Sequence, residues 1–139
     1  MLDNISATDI AVGGIRAQHI RMNIIANNIA NAETTRTPEG GPFRRQLAVF
    51  KGTSLGQQFN ADRFGVMVSK ILDDSSPFRE VYNPGHPDAN ENGIVSYPNV
   101  NLSVEMINML SAQRAYEANI DVITSSKRMG AKALEIIQA

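Results

Sequence analysis

The sequence predicts an α+β protein: long N- and C-terminal helices packed as an antiparallel coiled coil, with a small antiparallel β-rich domain between them. Three observations predict it. All six prolines and seven of the ten glycines fall between residues 34 and 101, so both ends lack most of the residues that interrupt helices. Both ends carry apolar residues at heptad spacing. The middle breaks into short segments bounded by Pro, Gly and Asn. Residues 1–34 are therefore assigned to the N-terminal helix of a coiled-coil inner domain, 35–101 to the β-rich middle and 102–139 to the C-terminal helix of the inner domain.

In the first helix the heptad spacing selects Ile5, Thr8, Val12, Ile15, His19, Met22, Ala26 and Ile29, with Ile20, Ile24 and Ile25 widening the seam. In the middle, Phe43–Phe50 reads as a strand after the turn Pro38-Glu-Gly-Gly-Pro42. Gly65–Leu72 alternates and reads as a second, and Gly93–Tyr97, closed by Pro98, as a third. Residues 52–63 read as the loop between the first two. The last helix has a seam of Leu102, Met106, Met109, Gln113, Tyr116, Ile120 and Ile123, continuing through Lys127, Gly130, Leu134 and Ile137. Ser103 is its expected N-cap. Glu105 and Glu117 lie toward its start and Lys127, Arg128 and Lys132 toward its end, as the helix dipole favours. At 1.5 Å per residue the rods are about 40 and 50 Å long.

Such rods are too long for so small a middle to cover. Ile10, Ile20, Ile24 and Ile25 lie off the first seam; Val104, Ile107, Leu110, Val122 and Ile136 lie off the second. Apolar surface on that scale marks contact with other chains. Asn23, Asn27 and Asn31 recur every four residues, with Asn28 beside them. They read either as a solvated stripe or as polar contacts that fix register against neighbouring helices. Asn and β-branched Ile are weak helix formers, so such a helix alone in water is marginal.

Composition narrows the function. The 139 residues carry 13 basic and 14 acidic side chains, a net charge of −1, which argues against nucleic acid as a partner. Leu, Ile, Val and Phe make up about a quarter of the chain, enough to bury a core. The lack of cysteine excludes a disulfide scaffold, a thiolate zinc site and a Cys nucleophile. No basic stretch followed by an apolar run opens the chain, and no apolar run is long enough to span a bilayer. The expectation is a soluble chain with no cleaved leader and no direct lipid anchoring.

Candidate chemistry is sparse. Asp88-Ala-Asn90-Glu-Asn92-Gly93 imitates the first half of an EF-hand loop, but Asn99 stands where the bidentate Glu belongs. Pro84, Pro87 and Pro98 forbid the flanking helices, so Asn92-Gly93 is read as a turn. His86 with Asp88, and Asp73 with Asp74, sit in Pro- and Ser-rich loops without visible partners. His19 falls on a seam and reads as a packing residue. Arg44-Arg45 reads as one ion-pairing and one solvated side chain. No catalytic, cofactor-binding or metal residue is assigned, and no small-molecule substrate.

Two segments carry a resemblance. Asn23-Ile-Ile-Ala-Asn27-Asn28-Ile-Ala-Asn31-Ala resembles the N-terminal signature of bacterial flagellar rod and hook proteins, and Asn108-Met-Leu-Ser-Ala-Gln-Arg114-Ala-Tyr116-Glu-Ala-Asn119 resembles their C-terminal one. The middle narrows the resemblance to a proximal-rod subunit. Thr37-Pro-Glu-Gly-Gly-Pro-Phe43-Arg-Arg-Gln, Gly65-Val-Met-Val, Ser76-Pro-Phe78-Arg, Tyr82-Asn-Pro-Gly-His86-Pro-Asp-Ala and Tyr97-Pro-Asn-Val-Asn-Leu102 carry it. Two positions depart from it: Phe43, where Tyr is common, and Ile94, where the family often has an aromatic. The resemblance implies a structural, non-enzymatic subunit of the basal-body rod. Such a subunit is exported by the flagellar type III system and polymerises in the periplasm around the export channel. Its implied partners are itself, other rod subunits and, at the base, the export gate and membrane ring. The assembly residues then expected are Asn23, Asn27, Asn28, Asn31, Ile20, Ile24, Met106, Leu110, Tyr116, Asn119 and Ile123.

Overall fold

The computed structural model describes residues 7–54 and 64–138. The expected helix at residues 1–6, with Ile5, and most of the expected loop at 55–63 lie outside the described residues, as does Ala139. Two helices, α1 (Ala7–Ala30) and α2 (Leu102–Gln138), enclose strands β1 (Gln46–Ser54), β2 (Phe64–Asp73), β3 (Arg79–Tyr82) and β4 (Ile94–Tyr97) in the sequence. The α+β class is as the sequence predicts. At 1.5 Å per residue, α1 is about 36 Å long and α2 about 56 Å.

The helices run antiparallel. Thr8 lies by Ser126 at 3.5 Å, a Cβ on Gly14 would meet Asn119, and Asn28 bonds Glu105 at 2.9 Å. The seam, however, is turned by about one residue from the one that apolar spacing selects. On α1 the buried residues are Ala11, Gly14, Ala17, Ile24, Ile25 and Asn28. On α2 they are Glu105 and Ala112, and Asn119 and Ser126 continue the same heptad position half-buried. Leu102, Met106, Gln113 and Ile120 turn outward, while Met109, Tyr116 and Ile123 stay half-buried. The physical reason is closeness: Gly and Ala let the backbones approach, and the larger side chains are left on the flanks. Ile24 and Ile25, counted as surplus by pattern, are 7% and 5% exposed and belong to the core.

Gly13 and Gly14 divide the space around α1. A Cβ on Gly13 would sit 3.3 Å from the Val66 carbonyl of β2, and one on Gly14 would sit 2.8 Å from the Asn119 amide of α2. Two adjacent residues project about 100° apart on a helix, so the pair notches α1 for both neighbours.

The helix ends are satisfied by asparagine. The Asn31 amide donates to the Asn27 carbonyl at 3.0 Å as α1 ends. Asn101, rather than Ser103, caps α2: its Oδ1 accepts the Val104 N–H at 3.2 Å.

The middle forms two separate two-stranded antiparallel sheets instead of one. β1 begins at Gln46 rather than Phe43, because Arg44 and Arg45 are engaged elsewhere, and it continues into residues 52–54 expected as loop. β1 pairs with β2 from Gln46↔Asp73 to Ser54↔Phe64 with a bulge at Ser69, whose hydroxyl donates to the Val49 carbonyl. β3, absent from the pattern reading, pairs with β4 and is exposed along its whole length, so it carries no hydrophobic alternation to detect. β4 points Val95 into a small core. The turn before it needs Gly93, with φ of 73° and a hypothetical Cβ only 2.9 Å from the Tyr82 ring.

Candidate assembly surface

At the root of the helix pair a polar cluster joins α1, the start of β1, the end of β2 and α2. Glu105, in the first turns of α2, is 1% exposed. Its carboxylate accepts from Arg45 Nη2 at 2.7 Å, Arg45 Nε at 3.0 Å and Asn28 Nδ2 at 2.9 Å. Arg45 reaches on to Asp74, just past β2, at 3.2 Å. Asn28 treats β1 as a strand would: its Nδ2 donates to the Gln46 carbonyl at 2.8 Å, and its Oδ1 accepts the Gln46 N–H at 2.9 Å. Asn99, before α2, accepts the Arg45 N–H at 2.9 Å and donates to the carbonyls of Asp74 and Ser76. Burial works against the Arg45 charge, but the hydrogen bonds and charges of Glu105 and Asp74 outweigh it and hold the guanidinium above its ordinary value. Asp74 is held below the usual carboxylate range, chiefly by the Ser76 hydroxyl and backbone N–H and then by Arg45.

This cluster corrects two readings. Arg45 does pair with acids, but Arg44 is not solvated: it stacks 4.2 Å from the Phe78 ring centroid and donates to the Asp74 carbonyl at 2.8 Å. Asn28, expected at an intersubunit contact, is 1% exposed and fully engaged within its own chain. Ile24 is likewise internal. Spacing alone could not reveal Glu105 as the partner of both; an acid in a first helical turn is ordinarily explained by the dipole.

The other expected assembly residues divide. Ile20, Asn23 and Asn27 form an exposed stripe on α1 at i, i+3 and i+7. Asn27 reaches only the Gln46 side chain, at 3.3 Å, and the Asn31 amide. Asn31 is half-buried. Tyr116, Asn119 and Ile123 are half-buried on the α1 side of α2. Met106 and Leu110 are 61% and 50% exposed.

α2 shows apolar side chains on both flanks of its seam. At 100° per residue, Leu102, Met106, Leu110 and Ile120 fall on one flank; Val104, Ile107, Val122, Met129 and Ile136 fall on the other. Leu102, Met106 and Leu110 of the first flank shape with Ile29 an open apolar groove of about 540 Å³, bounded also by Met109 and Gln113. Beyond Ser126, residues 127–136 of α2 are exposed on every face.

The residues imagined for chemistry have other work. Asp88 accepts from Thr35 at 2.8 Å and Arg36 at 2.9 Å; His86 Nδ1 accepts the Asp88 N–H. Asn90 Oδ1 accepts the backbone N–H groups of Asn92 and Ile94, closing the turn before β4. No three His, Cys, Asp or Glu side chains converge on a metal position among the described residues. No helix among them is long and apolar enough to cross a membrane.

Known proteins resemble this chain in sequence. Residues 9–36 match a family described as flagella basal body rod protein, and residues 91–136 one described as flagellar basal body rod FlgEFG protein C-terminal. The chain is 45% identical to the flagellar basal-body rod protein FlgC of Borreliella burgdorferi, with 96% of this chain and 97% of that protein aligned. It is 39% identical to the FlgC protein of Salmonella typhimurium over 94% and 95% of the two chains. To that of Bacillus subtilis it is 38% identical over 92% and 94%.

Proposed function

The chain belongs to the FlgC family of flagellar basal-body rod proteins, and from that premise we propose that it is a proximal-rod subunit polymerising helically around the export channel. As a family member it is a structural subunit of the rod of the flagellar basal body, assembles with other rod subunits and is not an enzyme. In our reading residues 1–34 and 102–139 form the inner coiled-coil layer and 35–101 the outer β-rich part. Ile20, Asn23, Asn27, Met106 and Leu110 face neighbouring subunits; Asn28, Ile24 and the half-buried seam residues act inside the subunit.

The observation that carries this reading is the apolar surface on both flanks of α2. A binding module needs one uncovered face, whereas a subunit inside a tube needs several. Leu102, Met106, Leu110 and Ile120 on one flank and Ile107, Met129 and Ile136 on the other are each at least 40% exposed, apolar surface that one partner helix on one face leaves uncovered.

Export through the flagellar type III system without a cleaved signal, a periplasmic position, and contact of the rod base with the export gate and membrane ring complete the proposal. Electron microscopy of basal bodies from a deletion strain tests it: the rod should be missing and return on complementation. An intact rod without this chain excludes the role. In a strain lacking the export apparatus the chain should stay in the cytoplasm; its arrival in the periplasm there excludes the export route.

A further inference from the structure

We propose that the apolar groove at the root of the helix pair receives the tail of α2 from a second copy of this chain, seated through Met129 and Ile136. The proposal rests on the rod reading above and specifies one of its contacts.

Three features of the molecule select this occupant. The first is length. The groove follows α2 from Leu102 to Gln113, about 17 Å at 1.5 Å per residue, and the tail exposed over residues 127–136 is about 15 Å long. The second is spacing. Val122, Met129 and Ile136 are 45%, 67% and 78% exposed and recur every seven residues, so they form a second, outward heptad stripe on α2. Met106 and Gln113 in the groove lining are likewise seven residues apart, so the two surfaces share the heptad interval. The Met-rich lining of the groove adapts readily to such side chains. The third is charge. On the tail Lys132 pairs with Glu135 at 2.7 Å, so its net positive charge comes from Lys127 and Arg128. Exposed Glu33 and Glu117 lie four residues past Ile29 and Gln113 of the groove lining.

Groove and tail are different surfaces at opposite ends of α2, so the contact is head-to-tail and leaves a free groove and a free tail on every pair. Each side offers only a few half-exposed side chains, well below the roughly 800 Å² per partner of a standard interface. The contact is therefore weak for an isolated pair and holds inside an array, where neighbours on the other flank act together with it.

The absence of native cysteine makes the test clean. Met106→Cys and Met129→Cys are combined in one chain, expressed in place of the parent, and oxidised in isolated basal bodies. The two positions are about 34 Å apart on one helix, so no disulfide can close within a subunit. The expected result is a ladder of dimer, trimer and higher species containing only this chain. Ile107→Cys with Met129→Cys, turned about 100° away from the groove, should give none. Leu110→Cys with Ile136→Cys repeats the test should the first pair hinder assembly. Four outcomes overturn the proposal: basal bodies that contain the chain without any ladder from either pair, products that stop at dimer, links to a different protein, or an equal ladder from the Ile107 pair. If the Cys-free parent is itself absent from the basal bodies, the rod reading fails instead.

Discussion

Replacing Glu105 with Gln should destabilise the protein by about 3 kcal/mol, the lower end of what breaking a buried ion pair costs. The substitution keeps size and shape and removes only the charge and one acceptor. The carboxylate now accepts two bonds from Arg45, at 2.7 and 3.0 Å, one from Asn28 at 2.9 Å and one from Asn108 at 3.3 Å, in a site that is 1% exposed. A Gln amide keeps one accepting oxygen and turns an NH₂ group toward the remaining donors. Arg45 is then left with Asp74 at 3.2 Å as its anionic partner, and its side chain is 20% exposed. Those two facts bring the loss to the lower end of the range. A change of about 3 kcal/mol shifts the folding equilibrium roughly 150-fold and lowers Tm by about 10 °C for a domain of this length.

Urea unfolding followed by circular dichroism measures the effect, with the double variant Arg45→Met/Glu105→Met as the partner experiment. Replacing both charges by apolar residues of similar volume should return stability to within about 1 kcal/mol of the parent, because the desolvation of both ions disappears with their attraction. If Glu105→Gln loses less than about 1 kcal/mol, the charge pair does not hold the root together. If the double variant is as unstable as the single one, the loss comes from packing and not from an orphaned guanidinium.

Other outcomes follow from the same geometry. Gly14→Ala gains about 1 kcal/mol of helix propensity but drives a Cβ to 2.8 Å from Asn119, a clash costing about 1–3 kcal/mol. Thermal melts should show a net loss that Gly14→Ala/Asn119→Ala reverses; a more stable single variant contradicts the close approach. Asp74 has a folded pKa below its unfolded value, so its contribution is complete above about pH 4 and is lost as pH falls through the folded pKa. Asp74→Asn should therefore flatten the acid limb of stability against pH, and an unchanged limb refutes that assignment. Asn27→Leu alters an exposed stripe and should impair motility while leaving the melting curve of the purified chain within about 0.5 kcal/mol; normal motility returns Asn27 to a solvated role. In the dilute monomer, amide exchange along α1 should be slowest near Ile24–Asn28 and fastest toward Ala7, and full, uniform protection of both helices excludes ordering on assembly.

Pattern reading recovered the helices because Pro and Gly are confined to the middle, and it recovered the surplus apolar surface because heptads show on both ends. It placed the seam about one residue off for a definite reason. Hydrophobic spacing ranks Met106, Gln113 and Ile120 by size or position, whereas the antiparallel contact is set by how closely backbones approach, which favours Gly14, Ala17 and Ala112. The polar root was illegible for a related reason. Asn28 and Glu105 are 77 residues apart, and each has an ordinary local explanation: a stripe residue in one case, a dipole acid in the other. Only the fold shows that they meet. β3 escaped because Arg79-Glu-Val-Tyr82 is exposed on both faces, so it has no periodicity to read.

On the rod reading proposed above, the division between polar seam and apolar flanks lets one sequence specify both a subunit and a polymer. A buried, fully partnered cluster allows a single register: sliding α1 by one turn would take Asn28 from both Gln46 and Glu105 and leave one oxygen of a carboxylate that is 1% exposed without its donor. Apolar contacts tolerate such sliding, since a Met or Leu meets any apolar neighbour at similar cost. Small and polar residues therefore set the internal geometry here, and Met106, Leu110, Met129 and Ile136 remain outside, where association needs area more than uniqueness. Had the large residues formed the seam, Glu105 and Asn119 would face the neighbours instead. Each subunit would then hold its own helices tightly and offer little apolar surface from which to build a shaft.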